Sequence, residues 1–534
     1  MILGAVPSAI SNIVLSLLAR KRAYDGPPMF PVNPTRRPAG RANPLRALAL
    51  MLLLAGCSGG GSNAPGGGDP PPPPGGSGGA GGSGGDPPPP TESPADSAEQ
   101  SPTLSLAPAF TIIDHPYQNP GSDFGVSTCI LDFDGDGHAD LAVGAEGEDG
   151  MRGAVYVFWG PELRQDSFVR IPAVAQEMAG LFGHDVRNGG DLDGLPGDEL
   201  LVGAPEERTD GLDSAGAAYV LFEGAAPLRI VSSEPEDEAW FGTSLVAGDF
   251  EGRGVSQIAV GARGATSAPG VRGGRVEIFH LGPLGLVHPG RVLSNPNPST
   301  DASNGNFGRL LVVEPDAHGE PQNLIVPALA NPTPEHGDGG LVYVFSVPLS
   351  STPSFALQSP LLHWEAGTGT RLGMVLDATP HRLLAGAPRH DIEVAGPTAL
   401  ENAGCALLFE GPEFDLAPPQ VLRRSDHPFE VECTLDLNGY GVALAELVGS
   451  DVPDLVVFGL NIHSKHGMSI LVYDGEIPSA APAFIQPLPD SSGHFPEGIC
   501  HGQLVPGGRE ELVVGDARFG PGEDRRGRVV LFQF

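Results

Sequence analysis

Basic residues are scarce in this chain of 534 residues: 30 Lys and Arg stand against 65 Asp and Glu, a formal charge of −35. Such an excess of acid opposes binding to nucleic acid or to anionic lipid heads, which need the opposite sign. Cysteine is rarer still, at five. The positions Cys57, Cys129, Cys405, Cys433 and Cys500 match no zinc spacing and make a poor disulfide framework, leaving open a Cys405–Cys433 bridge. No apolar run is long enough to be a permanent membrane-spanning helix. No long apolar period of 3.6 residues runs through the C-terminal four-fifths, which argues against a helical solenoid. Within that part no nucleophile elbow, ordered Ser/His/Asp set or distinctive carboxylate pair stands out. Histidines such as His336, His463 and His466 fall in Gly/Pro-rich loops and read as solvated polar residues.

What is present begins with an N-terminal address. The basic run Arg36, Arg37, Arg41 and Arg46 leads into the apolar stretch Leu45–Leu54, which ends Leu54-Ala55-Gly56-Cys57. Charge, short apolar run and small residues describe a secretory signal over residues 1–56. The ending resembles the bacterial lipobox, which implies lipidation of Cys57 and, with Ser58 after it, an outer-membrane or cell-surface destination. A start at Met29 would leave a signal of ordinary length. Residues 57–107 then read as a tether, nearly all Gly, Pro, Ser and Asp, with too little apolar surface to fold. Removing residues 1–56 takes away seven basic residues and one acid, so 23 basic and 64 acidic residues remain, a charge of −41.

From about residue 108 to the end a unit recurs seven times. It opens at Phe124-Gly125, Phe182-Gly183, Phe241-Gly242, Phe307-Gly308, Leu372-Gly373, Tyr440-Gly441 and, weakly, Glu497-Gly498. About twenty residues later comes an apolar run closing on small residues, as in Leu141–Ala145, Leu200–Pro205 and Ile258–Ala262. A third piece starts with Gly and alternates β-branched with aromatic residues, as in Gly153–Phe158, Gly216–Phe222 and Gly340–Phe345. Another short apolar stretch usually follows. These are strand signals, and one small sheet cannot bury both its faces alone, so neighbours must stack. The expectation is an all-β fold, a seven-bladed β-propeller of four-stranded antiparallel blades spanning 108–534. The seventh unit stops after its third strand. Pro108–Ile113 resembles the fourth-strand segment Pro482–Ile485 and is expected to close the last blade, removing an open edge.

In this order, aromatic-Gly, an Asp-rich loop, Gly-Ala-Pro and Gly-x-Val-Tyr-Val-Phe resemble FG-GAP repeats, which build the propeller of integrin α subunits and occur in bacterial surface proteins. The first unit carries Asp132-Phe-Asp134-Gly-Asp136-Gly-His138-Ala-Asp140. Oxygen ligands at positions 1, 3, 5 and 9, a carbonyl at 7 and a turn-permitting Gly at 6 suit one Ca2+ ion. That set is Asp132, Asp134, Asp136, the His138 carbonyl and Asp140. Val143 stands where an EF-hand needs Glu, so the loop is the shorter hairpin form. In the second unit Asp191, Asp193, Asp198 and Glu199 remain but Leu195 replaces position 5, which makes a weaker second metal site. In the third, Arg253 is expected to take the place of the ion beside Asp249 and Glu251. The fourth keeps Glu314 and Asp316; the last three have no convincing set.

The resemblance and the calcium loop together imply a non-enzymatic, monomeric surface module that binds an extracellular protein or glycan. Its binding loops would join second to third strands: Glu206–Ala215, Arg263–Gly273, Ala328–Gly339 and Arg389–Ala403. Two other readings stay open, a hydrolase or lyase of phospholipid or polysaccharide, and a structural subunit of an outer-membrane assembly.

Overall fold

A computed structural model describes residues 109–175, 179–282, 286–298, 306–329, 340–358, 371–388, 392–393, 399–400, 404–414, 419–422, 441–447, 452–460, 468–476, 484–487, 498–520 and 524–534. The expected signal, the Cys57 anchor, the tether, Cys433, His336, His463 and His466 lie outside these residues, as does most of 330–339 and 389–403.

Seven four-stranded antiparallel sheets follow one another along the chain, six of them laid down in order from the inner to the outer strand. Blade one is Phe124–Leu131, Asp140–Ala145, Ala154–Phe158 and Phe168–Pro172. Blade two is Val186–Asn188, Leu200–Ala204, Ala217–Leu221 and Leu228–Ile230, and blade three is Phe241–Gly248, Gln257–Ala262, Arg275–Gly282 and Leu286–Ser294. Blade four is Val312–Pro315, Pro321–Ala328, Leu341–Ser346 and Phe355–Leu357. Blade five, Leu376–Thr379, Arg382–Ala387, Cys405–Glu410 and Gln420–Leu422, carries an extra hairpin of Ile392–Glu393 on Ala399–Leu400. Blade six is Gly441–Ala445, Asp454–Leu460, Met468–Tyr473 and Phe484–Pro487. Each inner strand meets the inner strand of the next blade, and that of blade seven meets that of blade one, so the sheets close a ring.

Blade seven is Ile499–Gly502, Glu511–Asp516 and Arg528–Gln533, completed by Ala109–Asp114 from the other end of the chain. The register runs from Ala109 opposite Gln533 to Asp114 opposite Arg528. The expected closing strand is therefore present, shifted by one residue. Beyond it, the Gly121 and Asp123 amides donate to the carbonyls of Asp524 and Arg525 at 2.5 and 3.2 Å.

The repeat motifs act between blades. Phe124, Phe182, Phe241 and Phe307 are buried at the blade interfaces. The third-strand glycine of one blade bridges the phenylalanine of the next: Gly153 with Phe182, Gly216 with Phe241, and Gly527 with Phe124 across the seam. The glycine within the second strand lies against the next blade's backbone. A Cβ on Gly203 would come within 2.1 Å of the Gly242 carbonyl oxygen, and one on Gly515 within 1.9 Å of that of Gly125. Ser127 and Ser244 donate across the same interfaces to the Gly183 and Gly308 carbonyls at 2.8 and 2.9 Å. The interfaces that Gly144, Gly203, Gly261 and Gly515 face are thus zipped by backbone approaching backbone, and only glycine leaves room for it there; in blade four Pro327 takes this place.

Candidate metal centre and the two loop faces

Strand direction sorts the loops. First-to-second and third-to-fourth connections fall at one end of every blade, and second-to-third loops and blade-to-blade connections at the other. At the first end of blade one, carboxylate oxygens of Asp132, Asp134 and Asp136 lie within 4.8 Å of one another. The chain wraps back on them: the Asp136 amide donates to Asp132 Oδ1 and Asp134 Oδ1 at 3.1 and 3.2 Å, and the Gly137 amide to Asp132 Oδ2 at 3.0 Å. The His138 amide donates to Asp136 Oδ1 at 2.8 Å. Burial, then repulsion from Asp136, raises the Asp134 carboxyl above its usual range. Three hard oxygen donors held together against their own repulsion fit a hard divalent cation.

Asp140 stands apart from this group. It is 1% exposed, and its two oxygens accept the Phe133 and Gly160 amides at 2.9 and 2.8 Å. Burial pushes its carboxyl up to about 6. The residue at the same place, just before the apolar run of the second strand, is Glu199, Gln257, Asn323, Arg382, Asp454 and Glu511 in the later blades. Glu199 accepts the Leu192 amide at 2.5 Å, Asp454 the Leu447 amide at 3.2 Å, and Glu511 the Leu504 amide at 2.9 Å. Asp454 also accepts the Gly475 amide at 3.3 Å, as Asp140 accepts that of Gly160. The loop of blade seven, Gln503 to Glu510, lacks acids at the first, third and fifth positions, yet the same bond forms. A polar side chain here therefore staples the turn with or without a cation. Its signal in the sequence is one polar residue before each apolar run.

In blade two Asp191, Asp193 and Glu199 form a second oxygen cluster within 4.8 Å. Burial, with repulsion from Asp193 and Asp191, lifts Glu199 to about 7. Asp198 is not part of it. Its Oδ2 accepts the Asp132 amide at 3.1 Å and the Asn188 side-chain amide at 3.0 Å, while its own amide donates to the Asp132 carbonyl at 2.7 Å. The two loops are thus in contact, and a Cβ on Gly135 would meet the Pro196 carbonyl carbon at 2.8 Å.

The third and fourth loops are tied by other contacts. Arg253 does not occupy an ion's place: its side chain is 74% exposed and pairs with Glu251 at 2.8 Å. Asp249 accepts the Gly254 amide instead. Glu314 is fully buried on the Asn323 side-chain amide and the His381 amide, at 2.6 and 2.9 Å.

At the opposite end the second-to-third loops contain a device the sequence reading missed. Tyr156 of the third strand donates to Glu148 Oε2 at 2.7 Å, and Arg170, its cross-strand neighbour, donates to Glu148 Oε1 at 3.1 Å. Blade two repeats this with Tyr219, Glu207 and Arg229 at 2.6 and 2.7 Å. Burial and the nearby carboxylates push both phenols up, so they stay protonated donors. In blade one His115, at the end of the closing strand, also reaches Glu148, at 3.5 Å. The Glu stands at the same place after the second strand in both blades, but 8 residues before its Tyr in blade one and 12 in blade two, so the varying loop hides the pairing in the sequence.

The fold and its acidic loop define a seven-bladed, four-stranded propeller with a cation-suited hairpin in its first blade. Residues 124–158, which span most of that blade, match the FG-GAP repeat model. The chain is also similar to integrin α subunits: 29% identical over 189 residues to integrin alpha-PS2 of Drosophila melanogaster, 33% over 183 to integrin alpha-5 of Xenopus laevis, and 32% over 162 to integrin alpha-7 of Mus musculus. The matched stretches cover 33, 32 and 28% of this chain and 13, 16 and 13% of those proteins. The chain therefore spans only a small part of the length of these relatives. No helix among the described residues is long and apolar enough to cross a membrane.

Proposed function

We propose that the chain is a non-enzymatic binding and adhesion module, tethered at the cell surface through lipidated Cys57 and stiffened by calcium, that takes an extracellular protein or glycan on its second-to-third loop face. The observation that carries this reading is the division of labour between the two faces. At one, the acidic hairpins of blades one and two pack on each other, which suits a rigidifying ion held by Asp132, Asp134 and Asp136. At the other, Glu206–Ala215 and Arg263–Gly273 are longer than tight turns need and are ordered by their own bridges, Thr209 with Leu212 and Ala268 with Val271. Likeness to integrin α subunits supports a recognition role and the FG-GAP match supports the cation. The protein immobilised with calcium should capture specific members of an array of extracellular-matrix proteins and glycans. Replacing both loops by tight turns should abolish capture while the ring stays folded, read by circular dichroism. Turnover of phospholipid or polysaccharide by the purified chain would overturn the reading.

A further inference from the structure

Arg263 directly follows the second strand of blade three, Gln257–Ala262, and Trp240 directly precedes the inner strand, Phe241–Gly248. Both stand at the second-to-third loop face. The guanidinium carbon lies 4.2 Å from the centroid of the Trp240 ring. That ring is fixed from its other surroundings. A Cβ on Gly264 would come within 2.5 Å of Trp240 Cε3, so the indole lies against bare backbone. Trp240 itself has a left-handed φ of 52°, unusual for a bulky residue. Its amide donates to the Ser214 carbonyl at 3.0 Å and its carbonyl accepts the Thr243 amide and hydroxyl at 3.2 and 2.5 Å. The chain holds a strained aromatic shelf, and the shelf carries an arginine.

That arginine is unpaired. Among the described residues it has no hydrogen-bond or ion-pair partner, whereas its neighbours on the same loops do. Arg208 pairs with Asp213 at 3.2 Å, Arg272 with Glu238 at 3.3 Å, and Arg275 with Glu234 and Glu236 at 3.0 Å each. Burial holds the Arg263 guanidinium below its ordinary range, with Glu206 opposing from a distance. A guanidinium stacked on an indole, partly desolvated and with its donors free, is built for bidentate recognition of a planar oxyanion. We propose that Arg263 on Trp240 is the receptor for a carboxylate carried by a protein partner. This deepens the binding-module reading and rests on it.

Surrounding charge selects the source of that carboxylate. Glu206 follows the second strand of blade two, and Glu146, bonded to His184 at 2.7 Å, follows that of blade one. His184 is close enough for the Arg263 charge to act on it. With Glu206 acting on Arg263 and a net charge of −35 on the chain, the surroundings repel a polyanion such as a polyuronate. The site accepts a single acidic side chain flanked by basic ones, whose cations would complement the chain's excess of acid.

Trp240 lies under Arg263, so tryptophan fluorescence reports on this site, with Trp240→Phe as the control that separates its signal from Trp159 and Trp364. The full chain is titrated with acetyl-Lys-Asp-Lys-amide, with its Asn counterpart and with an oligogalacturonate. The Asp peptide should give a saturable change in the millimolar range, as roughly one charged fork contributes. Arg263→Gln should weaken it at least tenfold, with Arg263→Lys in between and the melting temperature of both unchanged. Equal response to the Asn peptide, unchanged affinity in Arg263→Gln, or no saturation by about 20 mM would overturn the proposal. Tighter binding of the oligogalacturonate through Arg263 would overturn the protein-partner assignment. A ligand found on the arrays that binds Arg263→Gln as well as wild type would remove this inference and leave the binding-module reading standing.

Discussion

The side chain that opens the second strand of each blade shows how one residue serves two masters. Asp140 reads from the sequence as the ligand at position nine of a calcium loop, yet its oxygens are engaged by the Phe133 and Gly160 amides. Glu511 makes the matching bond to Leu504 in a loop with no acidic set. A one-dimensional motif shows that a polar residue recurs there, but not which neighbour engages it. Losing such a bond strands a buried amide, so Glu511→Ala should cost about 1–3 kcal/mol in urea unfolding, by the same amount with calcium or with chelator. His501 supplies a second test. Burial pulls its pKa down, but hydrogen bonds to Asp377 at 3.1 Å and Glu510 at 3.0 Å outweigh this and push it to about 10. Asp377 also accepts the Leu444 amide at 2.7 Å and Glu510 the Glu446 amide at 2.8 Å, so the imidazolium ties blades five, six and seven. A histidine whose folded pKa is raised contributes fully below its unfolded value near 6.5 and loses that contribution as pH climbs through about 10. His501→Gln should therefore be destabilised most at pH 6, and the gap to wild type should close by about pH 10.5, measured as melting temperature across the range.

Strands and their junctions were the most legible scale. Seven Gly-led alternating runs marked seven third strands, and the apolar runs before them marked seven second strands, because a strand between two packed blades has few alternatives to β-branched and aromatic residues. The glycines of the motif carried a tertiary meaning as well, visible only as approach distances between blades. Gly203→Ala and Gly261→Ala would each place a Cβ about 2 Å from a neighbouring blade's carbonyl oxygen. Overpacking against backbone should cost each variant about 1–3 kcal/mol or more. Gly180→Ala, whose Cβ would first meet Glu207 at 3.4 Å, should be near neutral in the same denaturant series. What the sequence hid were contacts between loops of different blades. Asp198 resembles a ligand of its own hairpin but bonds to Asp132 of the preceding one, and Arg253 lies out on the surface with Glu251. Neither spacing nor residue type records which loop is adjacent.

At the largest scale the described blades form a ring that closes within one sheet. Ala109–Asp114 pairs residue by residue with Arg528–Gln533, and Ile113 is fully buried behind it. This closure was readable because a blade short of one strand and a spare strand at the other terminus are the two halves of one pattern. Loops one and two lock together through Asp132 and Asp198, so the calcium ion proposed for the first would brace both blades. Anything bound by the folded chain alone stabilises it by mass action, about 2.7 kcal/mol at a hundred times its dissociation constant. The most direct test is calcium content and melting temperature, with and without chelator, for wild type and Asp134→Ala. The account predicts bound calcium and a melting temperature several degrees lower after chelation in wild type, with the first-loop ion and most of that shift missing in Asp134→Ala. No calcium uptake at millimolar concentration and identical melting of both proteins in every condition would contradict it.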